Sequence, residues 1–216
     1  MVYSHIRYKL KVVAVGDAGV GKTTFLKNMV DDTPLVQGTT TTIGMDYFSH
    51  SLVVDDQGTT VPLQLWDTAG EQRFRTLVPG YLQGAQIVLI FVDVTKFSTI
   101  QSFGYWKDLI DTEVKELHQV ALIATHTDLG SRRIMAEKEI RAMAMDVGYL
   151  YFESDNLPDC RKRICHIMKT VVLKAMDLRI GCKLESSVIV PIQDQDTSDS
   201  SEEIDHLARF CNCFLF

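Results

Sequence analysis

The stretch KLKVVAVGDAGVGKT, residues 9–23, decides the fold of this 216-residue chain. Its first half, Lys9 to Val15, is rich in valine and predicts a β-strand, and the residues from Gly21 to Val30 predict an α-helix. Between strand and helix lies a match to the pattern GxxxxGK[ST], formed by Gly16, Asp17, Ala18, Gly19, Val20, Gly21, Lys22 and Thr23, with Thr24 following it. The glycines allow backbone N–H groups to turn inward and, with the positive end of the helix dipole, to cradle phosphate oxygens.

Two side chains of this loop suit nucleotide chemistry. Lys22 is placed to reach the β- and γ-phosphates, and the Thr23 hydroxyl is placed to bind Mg²⁺. The alternative is a glycine-rich turn that happens to carry a surface lysine. The full pattern, directly after one strand and before one helix, favours the phosphate-binding loop.

A second motif, Asp67-Thr68-Ala69-Gly70, follows a predicted strand. Sheets of the α/β type bind ligands beyond the carboxyl ends of their strands. Asp67 is therefore expected to hold the metal through a water molecule, and the Gly70 N–H to meet a γ-phosphate. A simple turn is the alternative, but the distance of the motif from the phosphate loop favours a functional pair.

The rest of the chain alternates strand-like and helix-like segments, which predicts an α/β fold with a mostly parallel sheet. The turn signal Asp55-Asp56-Gln57-Gly58 joins two strand-like segments into a hairpin. Apolar runs at 87–92 and 120–124 suit strands that are buried on both faces. The other predicted elements are strands at 47–54, 61–66 and 149–152 and helices at 97–117, 133–147 and 159–178.

The composition is that of an ordinary globular protein, with 46% hydrophobic and 23% charged residues. The longest apolar run, 87–92, is far shorter than the roughly 20 residues that span a bilayer. The N-terminus has no secretory signal, so we expect a cytoplasmic protein. The five cysteines form no CxxC pair and lie at 160, 165, 182, 211 and 213. We expect free thiols at the first three of them.

The net charge of −6 is concentrated near the C-terminus. Residues 181–216 contain seven acidic and two basic residues, so the remainder of the chain is nearly neutral. A neutral body has no basic field for nucleic acid, which we exclude as a partner. The polar, acidic run at 191–203 is typical of a solvated linker.

Several further segments match a known family: Thr42-Ile43-Gly44-Met45-Asp46-Tyr47, Leu63-Gln64-Leu65-Trp66, Arg73-Phe74-Arg75-Thr76, Tyr81-Leu82-Gln83-Gly84-Ala85 and Phe91-Val92-Asp93-Val94-Thr95. With the motif at Asp67, they resemble the Ras superfamily of small GTPases, and specifically the Rab family. The resemblance implies a P-loop NTPase small-GTPase fold of the α/β class, with a six-stranded, mostly parallel sheet, one antiparallel strand and about five helices. It places the GTPase domain at 1–181 and a flexible, acidic hypervariable tail at 182–216.

The same resemblance implies roles for individual residues. Thr42 would be the switch I threonine, which joins Thr23 and Asp67 around Mg²⁺ and orders on the γ-phosphate. Switch I would cover about 34–46 and switch II about 67–81. The bound nucleotide would be GTP or GDP.

The chain departs from the family at the catalytic position. The family has Gln-Glu after the Asp67 motif, whereas this chain has Glu71-Gln72. A carboxylate at Glu71 can accept a proton from water, but its charge repels the γ-phosphate. Helical geometry turns Gln72 about 100° away from that position. We therefore expect Glu71, Gln72 and Lys22 to form a catalytic set with slow intrinsic hydrolysis.

The guanine-binding loops have also changed. Where the family has NKxD, this chain has Thr125-His126-Thr127-Asp128, and Asp128 keeps the carboxylate that accepts from guanine N1–H and the exocyclic amine. An alternative is that Asp128 only caps a turn. We expect Thr125 to be too short to bridge to the phosphate loop, and His126 to stack on the base less fully than lysine.

The family's ETSAK loop is matched best by Glu153-Ser154-Asp155-Asn156-Leu157. Only the first two positions are approximately kept, and Ser154 and Asp155 are the nucleotide-contact candidates. Both loops on the base side differ, while the phosphate side is intact. We expect weaker guanine-nucleotide binding with faster exchange, and relaxed selectivity for the base is left open as an alternative.

The chain ends in Cys213-Phe214-Leu215-Phe216, which reads as a prenylation motif whose final Phe favours geranylgeranyl. Cys211 makes a Cys-x-Cys pair with Cys213. One lipid gives only marginal anchoring, and an acidic tail offers no polybasic second signal, so we expect lipid on both cysteines. An unmodified apolar end that folds back is the alternative.

The function implied by the resemblance is a Rab-like GTPase on the cytosolic face of an intracellular membrane, acting in vesicle transport. The implied partners are an exchange factor, a GTPase-activating protein, a prenylation escort with its transferase, an extraction factor and effectors, and the chain is expected to be a monomer. An alternative is a hydrolysis-deficient, fast-exchanging adaptor. A metabolic P-loop kinase fits less well, because no segment resembles an acceptor-substrate lid.

Overall fold

The structure, a computed structural model, describes residues 9–31, 41–116, 118–155, 157 and 160–187. The strands are β1 (Leu10–Gly16), β2 (Met45–Val53), β3 (Thr60–Thr68), β4 (Ile87–Asp93), β5 (Gln119–Thr125) and β6 (Leu150–Glu153). The α-helices are α1 (Lys22–Val30), α2 (Val78–Leu82), α3 (Phe97–Gln101), α4 (Phe103–Glu113), α5 (Glu137–Met145) and α6 (Cys160–Ser187). Two 3₁₀-helices lie at Gln72–Leu77 and Thr127–Arg132.

The strands of the described residues form one six-stranded sheet in the order β2-β3-β1-β4-β5-β6. β2 pairs antiparallel with β3, and the other neighbours are parallel. This confirms the predicted sheet with one antiparallel edge strand. Because parallel strands end at the same edge, Gly16, Thr68, Asp93 and Thr125 all lie at the carboxyl edge, where α/β sheets bind ligands.

The central strands of the sheet are buried on both faces, and the side chains of β1 alternate between two hydrophobic clusters. Val12 and Ala14 belong to a cluster that includes residues of α1 and α6. Val13 and Val15 belong to the other cluster, which includes residues of α4 and α5. β4 and β5 are buried along their whole length, as their continuous apolar runs predict.

The helices predicted from the sequence form with different bounds. The segment 97–117 is divided at Ser102 into α3 and α4, and α4 ends at Glu113. α5 begins at Glu137 rather than 133 because Ala136 is extended and its N–H donates to Glu139 Oε2 at 2.9 Å. α6 continues past the predicted end at 178 to Ser187, into the segment that we expect to be a tail.

The short helices were not predicted, because five or six residues are too few to display a helical period. None of the helices in the described part of the chain is both long enough and apolar enough to cross a bilayer. Residues 34–40 of the predicted switch I lie outside the described residues. So do residues 188–216 of the predicted tail, with Cys211 and Cys213.

Candidate functional site

The loop between β1 and α1 lies tightly against the neighbouring strand. A Cβ atom on Gly16 would come within 2.6 Å of the Phe91 carbonyl oxygen, and the φ of Gly16 is +143°, so only glycine fits there. The loop then turns through Gly19 and Gly21 into α1, whose first residue is Lys22. The predicted strand, loop and helix thus meet in the arrangement that phosphate binding requires.

The Lys22 side chain is buried within this loop, with 5% of its surface exposed. Its Nζ donates to the carbonyl oxygens of Gly16 and Asp17, both at 2.8 Å. Burial lowers the pKa of Lys22 to about 8, although the carboxylates of Asp67 and Asp17 act in the opposite direction. The loop thus carries a fixed amine at the position predicted for a phosphate contact.

The three predicted metal ligands come together beside the loop. Thr23 Oγ1 donates to Asp67 Oδ2 at 2.5 Å and lies 3.0 Å from Thr42 Oγ1. Thr42 Oγ1 is itself 3.3 Å from the same Asp67 oxygen. Thr23 and Thr42 therefore meet at the Asp67 carboxylate, although they lie 44 and 25 positions before Asp67 in the chain.

The chemistry of this group suits a hard divalent cation. Asp67 is completely buried, its burial raises the pKa of its carboxyl, and within the described residues Oδ1 has no hydrogen-bond partner. A set of oxygen donors with one unsatisfied carboxylate oxygen fits Mg²⁺, which prefers oxygen ligands. The described residues contain no cluster of three or more His, Cys, Asp or Glu that would suit another metal.

The turn after Asp67 packs directly on the phosphate loop. Thr68 Oγ1 donates to the Ala14 carbonyl at 2.7 Å, and the Ala69 N–H donates to the Gly44 carbonyl at 2.9 Å. A Cβ on Gly70 would lie 2.3 Å from the Asp17 carbonyl carbon and 2.4 Å from the Ala18 nitrogen. Only glycine permits this approach, which brings the Gly70 backbone to the loop.

The two candidate catalytic side chains take different positions. The Glu71 carboxylate pairs with Arg73 Nε at 2.7 Å, and 29% of its side chain is exposed. Gln72 is exposed and begins the 3₁₀-helix Gln72–Leu77. In the part of the chain that the structure describes, neither side chain hydrogen-bonds to Lys22 or to the three predicted metal ligands.

On the base side, the expectation for Thr125 is wrong. Its Oγ1 lies 2.7 Å from the Val20 carbonyl oxygen of the phosphate loop and 3.0 Å from the Val92 carbonyl oxygen. A side chain shorter than asparagine reaches the loop because Gly21 lies directly against Thr125: a Cβ on Gly21 would be 3.7 Å from Thr125 Cγ2. The link between β5 and the phosphate loop is therefore present.

His126 has a left-handed backbone with φ +60° and is the one non-glycine residue with positive φ in the described part of the chain. Its Nδ1 lies 3.5 Å from Asp93 Oδ2, and its Cε1 faces Gly21. Asp128 follows in the 3₁₀-helix Thr127–Arg132, with an exposed side chain. This exposure leaves the carboxylate available to a ligand.

The second base-side loop is tied to the first and to α6. Thr127 Oγ1 donates to the Ser154 carbonyl at 3.2 Å, and the buried Ser154 donates its N–H to Ala124. Asp155 Oδ1 pairs with Arg163 of α6 and accepts from the Leu157 N–H at 3.1 Å. The Asp155 carboxylate is thus engaged within the protein, and Asn156 lies outside the described residues.

We did not predict two clusters that the structure forms around these elements. The rings of Tyr47 and Trp66 are 5.8 Å apart and those of Trp66 and Tyr81 are 6.1 Å apart, which joins β2, β3 and α2 at the surface. The second cluster surrounds the Asp17 carboxylate and includes Arg75. Their spacing in the sequence is irregular, so no periodic pattern reveals either cluster.

Three features at the carboxyl edge of this sheet define the class of P-loop GTPases. They are the phosphate loop, the oxygen-donor set that fits Mg²⁺ and the Asp67 turn. Residues 11–174 match the Ras family. The GTP-binding protein YPTM1 of Zea mays is 34% identical over 68% of this chain and 69% of its own length. The Ras-related proteins RABD2b of Arabidopsis thaliana and RIC1 of Oryza sativa subsp. japonica are each 33% identical over 68% of this chain and 71% of their own length.

The chain therefore belongs to the Ras family of small GTPases, enzymes that hydrolyse GTP, and it is Rab-like within that family. The family, the fold and the enzyme class predicted from the sequence are confirmed.

Proposed function

We propose that this Rab-like GTPase binds GTP or GDP together with Mg²⁺, hydrolyses GTP slowly and acts as a membrane-anchored switch in vesicle transport. The observation that carries the proposal is the meeting of Thr23, Thr42 and Asp67 at one buried carboxylate. Thr42 lies within the predicted switch I segment, Thr23 lies in the first turn of α1 directly after the phosphate loop, and Asp67 begins the predicted switch II segment. A ligand at this point would contact both switches at once.

The residues of the phosphate side have distinct tasks in this proposal. Thr23, Thr42 and Asp67 would hold Mg²⁺, which neutralises part of the phosphate charge when bound. The Lys22 ammonium would bind phosphate oxygens from within the loop, and the Gly70 N–H would meet the γ-phosphate. The loop residues 16–24 would supply the remaining backbone donors.

The residues of the base side support guanine recognition with reduced strength. The exposed Asp128 carboxylate would accept two hydrogen bonds from guanine, and Thr125 keeps the phosphate loop attached to β5. We expect the weaker binding to come from His126, whose ring covers less of a purine than a lysine stem does, and from Asp155, whose carboxylate is engaged by Arg163. Guanine selectivity would rest mainly on Asp128.

Magnesium dependence tests the phosphate side of the proposal. GTP affinity of the full chain should fall when Mg²⁺ is chelated, and Thr23→Ala and Thr42→Ala should each remove most of that Mg²⁺ dependence. Thr112→Ala is a matched control, because the Thr112 hydroxyl donates to the Asp108 carbonyl within α4. Equal GTP affinity with and without Mg²⁺ in the unmodified chain would contradict the proposal.

Slow hydrolysis follows from the charge at Glu71, which lies where the family has glutamine. The same observation favours a second candidate function, an adaptor that binds GTP and recruits effectors without useful hydrolysis. Single-turnover phosphate release separates the two. Slow release that increases in Glu71→Gln supports the switch, whereas no release from the unmodified chain, even with a GTPase-activating protein, supports the adaptor.

The aromatic cluster of Tyr47, Trp66 and Tyr81 offers an effector surface between the switches. Tyr47 is 44% exposed, and two further apolar side chains of the switch segments, Ile43 and Leu77, are 79% and 47% exposed. Exposed apolar side chains on both switch segments are typical of a protein-binding surface. In the proposal, effectors bind here when GTP orders the switches, and the exchange factor, the activating protein and the extraction factor act on the same region.

Membrane attachment is proposed through lipids on Cys211 and Cys213, added with the help of a prenylation escort. Two lipid chains are needed because a single lipid chain gives only reversible attachment. The double substitution of both cysteines by serine should move the protein from the membrane fraction to the soluble fraction of cells. Cys165→Ser is the matched control, and mass spectrometry of the intact protein would detect the lipids directly. Membrane association that survives the double substitution would contradict the anchor.

A further inference from the structure

The carboxylate of Asp17, the second residue of the phosphate loop, is held by side chains from two distant elements. Arg75 Nη2 of the 3₁₀-helix Gln72–Leu77 donates to Oδ1 at 2.8 Å. Trp106 Nε1 of α4 also donates to Oδ1, at 3.2 Å, and Ser102 Oγ donates to Oδ2 at 2.7 Å. Asp17 therefore joins the loop to the switch II segment and to the start of α4.

Arg75 is fixed by more than its ion pair. Its guanidinium carbon lies 4.6 Å from the ring centre of Tyr105 and 5.2 Å from that of Trp106. Only 25% of its side chain is exposed, against 68% for the neighbouring Arg73. A planar guanidinium that is both paired with a carboxylate and stacked on aromatic rings is held in one position more firmly than an exposed ion pair is.

This contact fixes the switch II segment at a second point. At the first point, Gly70 lies against the peptide between Asp17 and Ala18, at a distance that excludes a Cβ atom. Glu71 and Gln72 lie between the Gly70 contact and the Arg75 contact. Both contacts are made with Asp17, so the position of the candidate catalytic residues is defined relative to the phosphate loop.

We infer that Arg75 is a positioning residue for GTP hydrolysis, with the Asp17 carboxylate as its anchor and Trp106 and Ser102 as the groups that hold this anchor. The inference rests on the proposed function, because it concerns the hydrolysis that takes place there. Arg75 contacts the phosphate loop through the Asp17 carboxylate. It acts by keeping residues 71 and 72 in a constant position, and small displacements of such residues have large effects on rate.

A positioning role and a purely structural role of Arg75 predict different effects when its side chain is removed. Without Arg75, Asp17 still accepts from Trp106 and Ser102, and the Lys22 bonds to the Gly16 and Asp17 carbonyl groups involve only backbone acceptors. The phosphate loop should therefore keep its shape and its nucleotide affinity. The hydrolysis rate and the local order of residues 71–77 should change.

The test compares Arg75→Ala and Arg75→Lys with Arg141→Ala in the full chain loaded with GTP and Mg²⁺. Arg141 is a matched control, because it also pairs with a carboxylate, that of Glu137, and stacks 4.7 Å from a tyrosine ring, but on α5. The readouts are GTP affinity, single-turnover phosphate release and amide hydrogen exchange over residues 71–77. Exchange is measured in the GDP form as well.

We expect Arg75→Ala to lower the hydrolysis rate by about tenfold and to leave GTP affinity within about twofold of the unmodified chain. Amide exchange over residues 71–77 should rise in Arg75→Ala and stay unchanged in Arg141→Ala. Arg75→Lys should recover part of the rate, because an ammonium restores the ion pair but not the stacking. Ser102→Ala, which removes the hydroxyl donor to Asp17 Oδ2, should reduce the effect of Arg75→Ala when the two are combined.

Two results would overturn the inference. One is a hydrolysis rate in Arg75→Ala that equals that of Arg141→Ala, and the other is unchanged exchange over residues 71–77. A parallel loss of affinity and rate would also contradict it, since that pattern indicates a structural role. Failure of the unmodified chain to bind GTP would instead refute the proposed function.

Discussion

At the scale of single residues, the Asp67 carboxylate connects the start of α1, the predicted switch I and the predicted switch II. Its Oδ2 accepts from Thr23, lies within 3.3 Å of Thr42 Oγ1, and belongs to a completely buried side chain. Burial raises the pKa of this carboxyl, because the charged form is poorly solvated there. A cation at this point would relieve that cost, which is why the arrangement favours a metal-assisted function over a structural one.

Gly70→Ala should displace the turn that follows Asp67. The added Cβ would overlap backbone atoms of Asp17 and Ala18, and backbone cannot move aside cheaply. We expect a loss of about 1–3 kcal/mol in the free energy of unfolding together with slower GTP hydrolysis. Denaturant unfolding and single-turnover assays would measure both.

Gly80→Ala provides the comparison for Gly70→Ala. Gly80 lies in α2, and an added Cβ would meet no atom within 4 Å. Alanine in a helix should therefore raise the free energy of unfolding by about 0.5–1 kcal/mol. Equal effects of the two substitutions would show that the Gly70 contact with the loop is unimportant.

Thr125→Val should break the link between β5 and the phosphate loop. Valine has the same shape but lacks the hydroxyl that reaches the Val20 and Val92 carbonyl oxygens. We expect a loss of about 1–2 kcal/mol in stability and faster release of GDP. Thr125→Ser keeps the hydroxyl and should retain a slow release rate. If valine and serine behave alike, the hydroxyl bridge has no role in holding nucleotide.

At the scale of elements, the base-side loops depend on a connection between β6 and the segment after the 3₁₀-helix Thr127–Arg132. Arg133 Nη2 lies 2.8 Å from both carboxylate oxygens of Glu153, which ends β6. The Tyr151 hydroxyl donates to Glu153 Oε1 at 2.6 Å. Glu153 therefore holds the start of the loop that carries Ser154 and Asp155.

Glu153→Ala should loosen both loops. The substitution leaves the Arg133 guanidinium and the Tyr151 hydroxyl without their carboxylate, and we expect about 1–2 kcal/mol lower stability. GDP release should become faster, because the loops would no longer be held together. Glu137→Ala is the control, since it removes an ion pair with Arg141 on the exposed surface of α5. A GDP release rate equal to that of this control would contradict the connection.

At the scale of the whole molecule, the strands of the sheet could be predicted from the apolar patterns in the sequence. The valine-rich run of β1 and the continuous apolar runs of β4 and β5 are direct consequences of burial on two faces. The short helix α2 was missed because its five residues are too few to display a helical period. The division at Ser102 was missed because its hydroxyl donates to Asp17, which lies 85 positions away in the chain.

In the candidate site, too, some residues could be predicted from the sequence and others could not. Lys22, Thr23 and Asp67 could be found from motif spacing, since each lies at the end of a predicted element. The reach of Thr125 could not be foreseen, because it depends on how closely Gly21 packs against β5. Arg75 could not be identified either, because its partners lie 58 and 31 positions away in the chain and no spacing rule joins them.

The measurement that tests the central claim most directly is equilibrium competition among GTP, GDP and ATP for the full chain with Mg²⁺ present. The account predicts that GTP and GDP bind and ATP does not compete. It also predicts that Asp128→Ala loses this selectivity, while Asp108→Ala, at a carboxylate that is 81% exposed on α4, keeps it. Competition by ATP equal to that of GTP, or no nucleotide binding at all, would contradict the claim that this chain is a guanine-nucleotide switch.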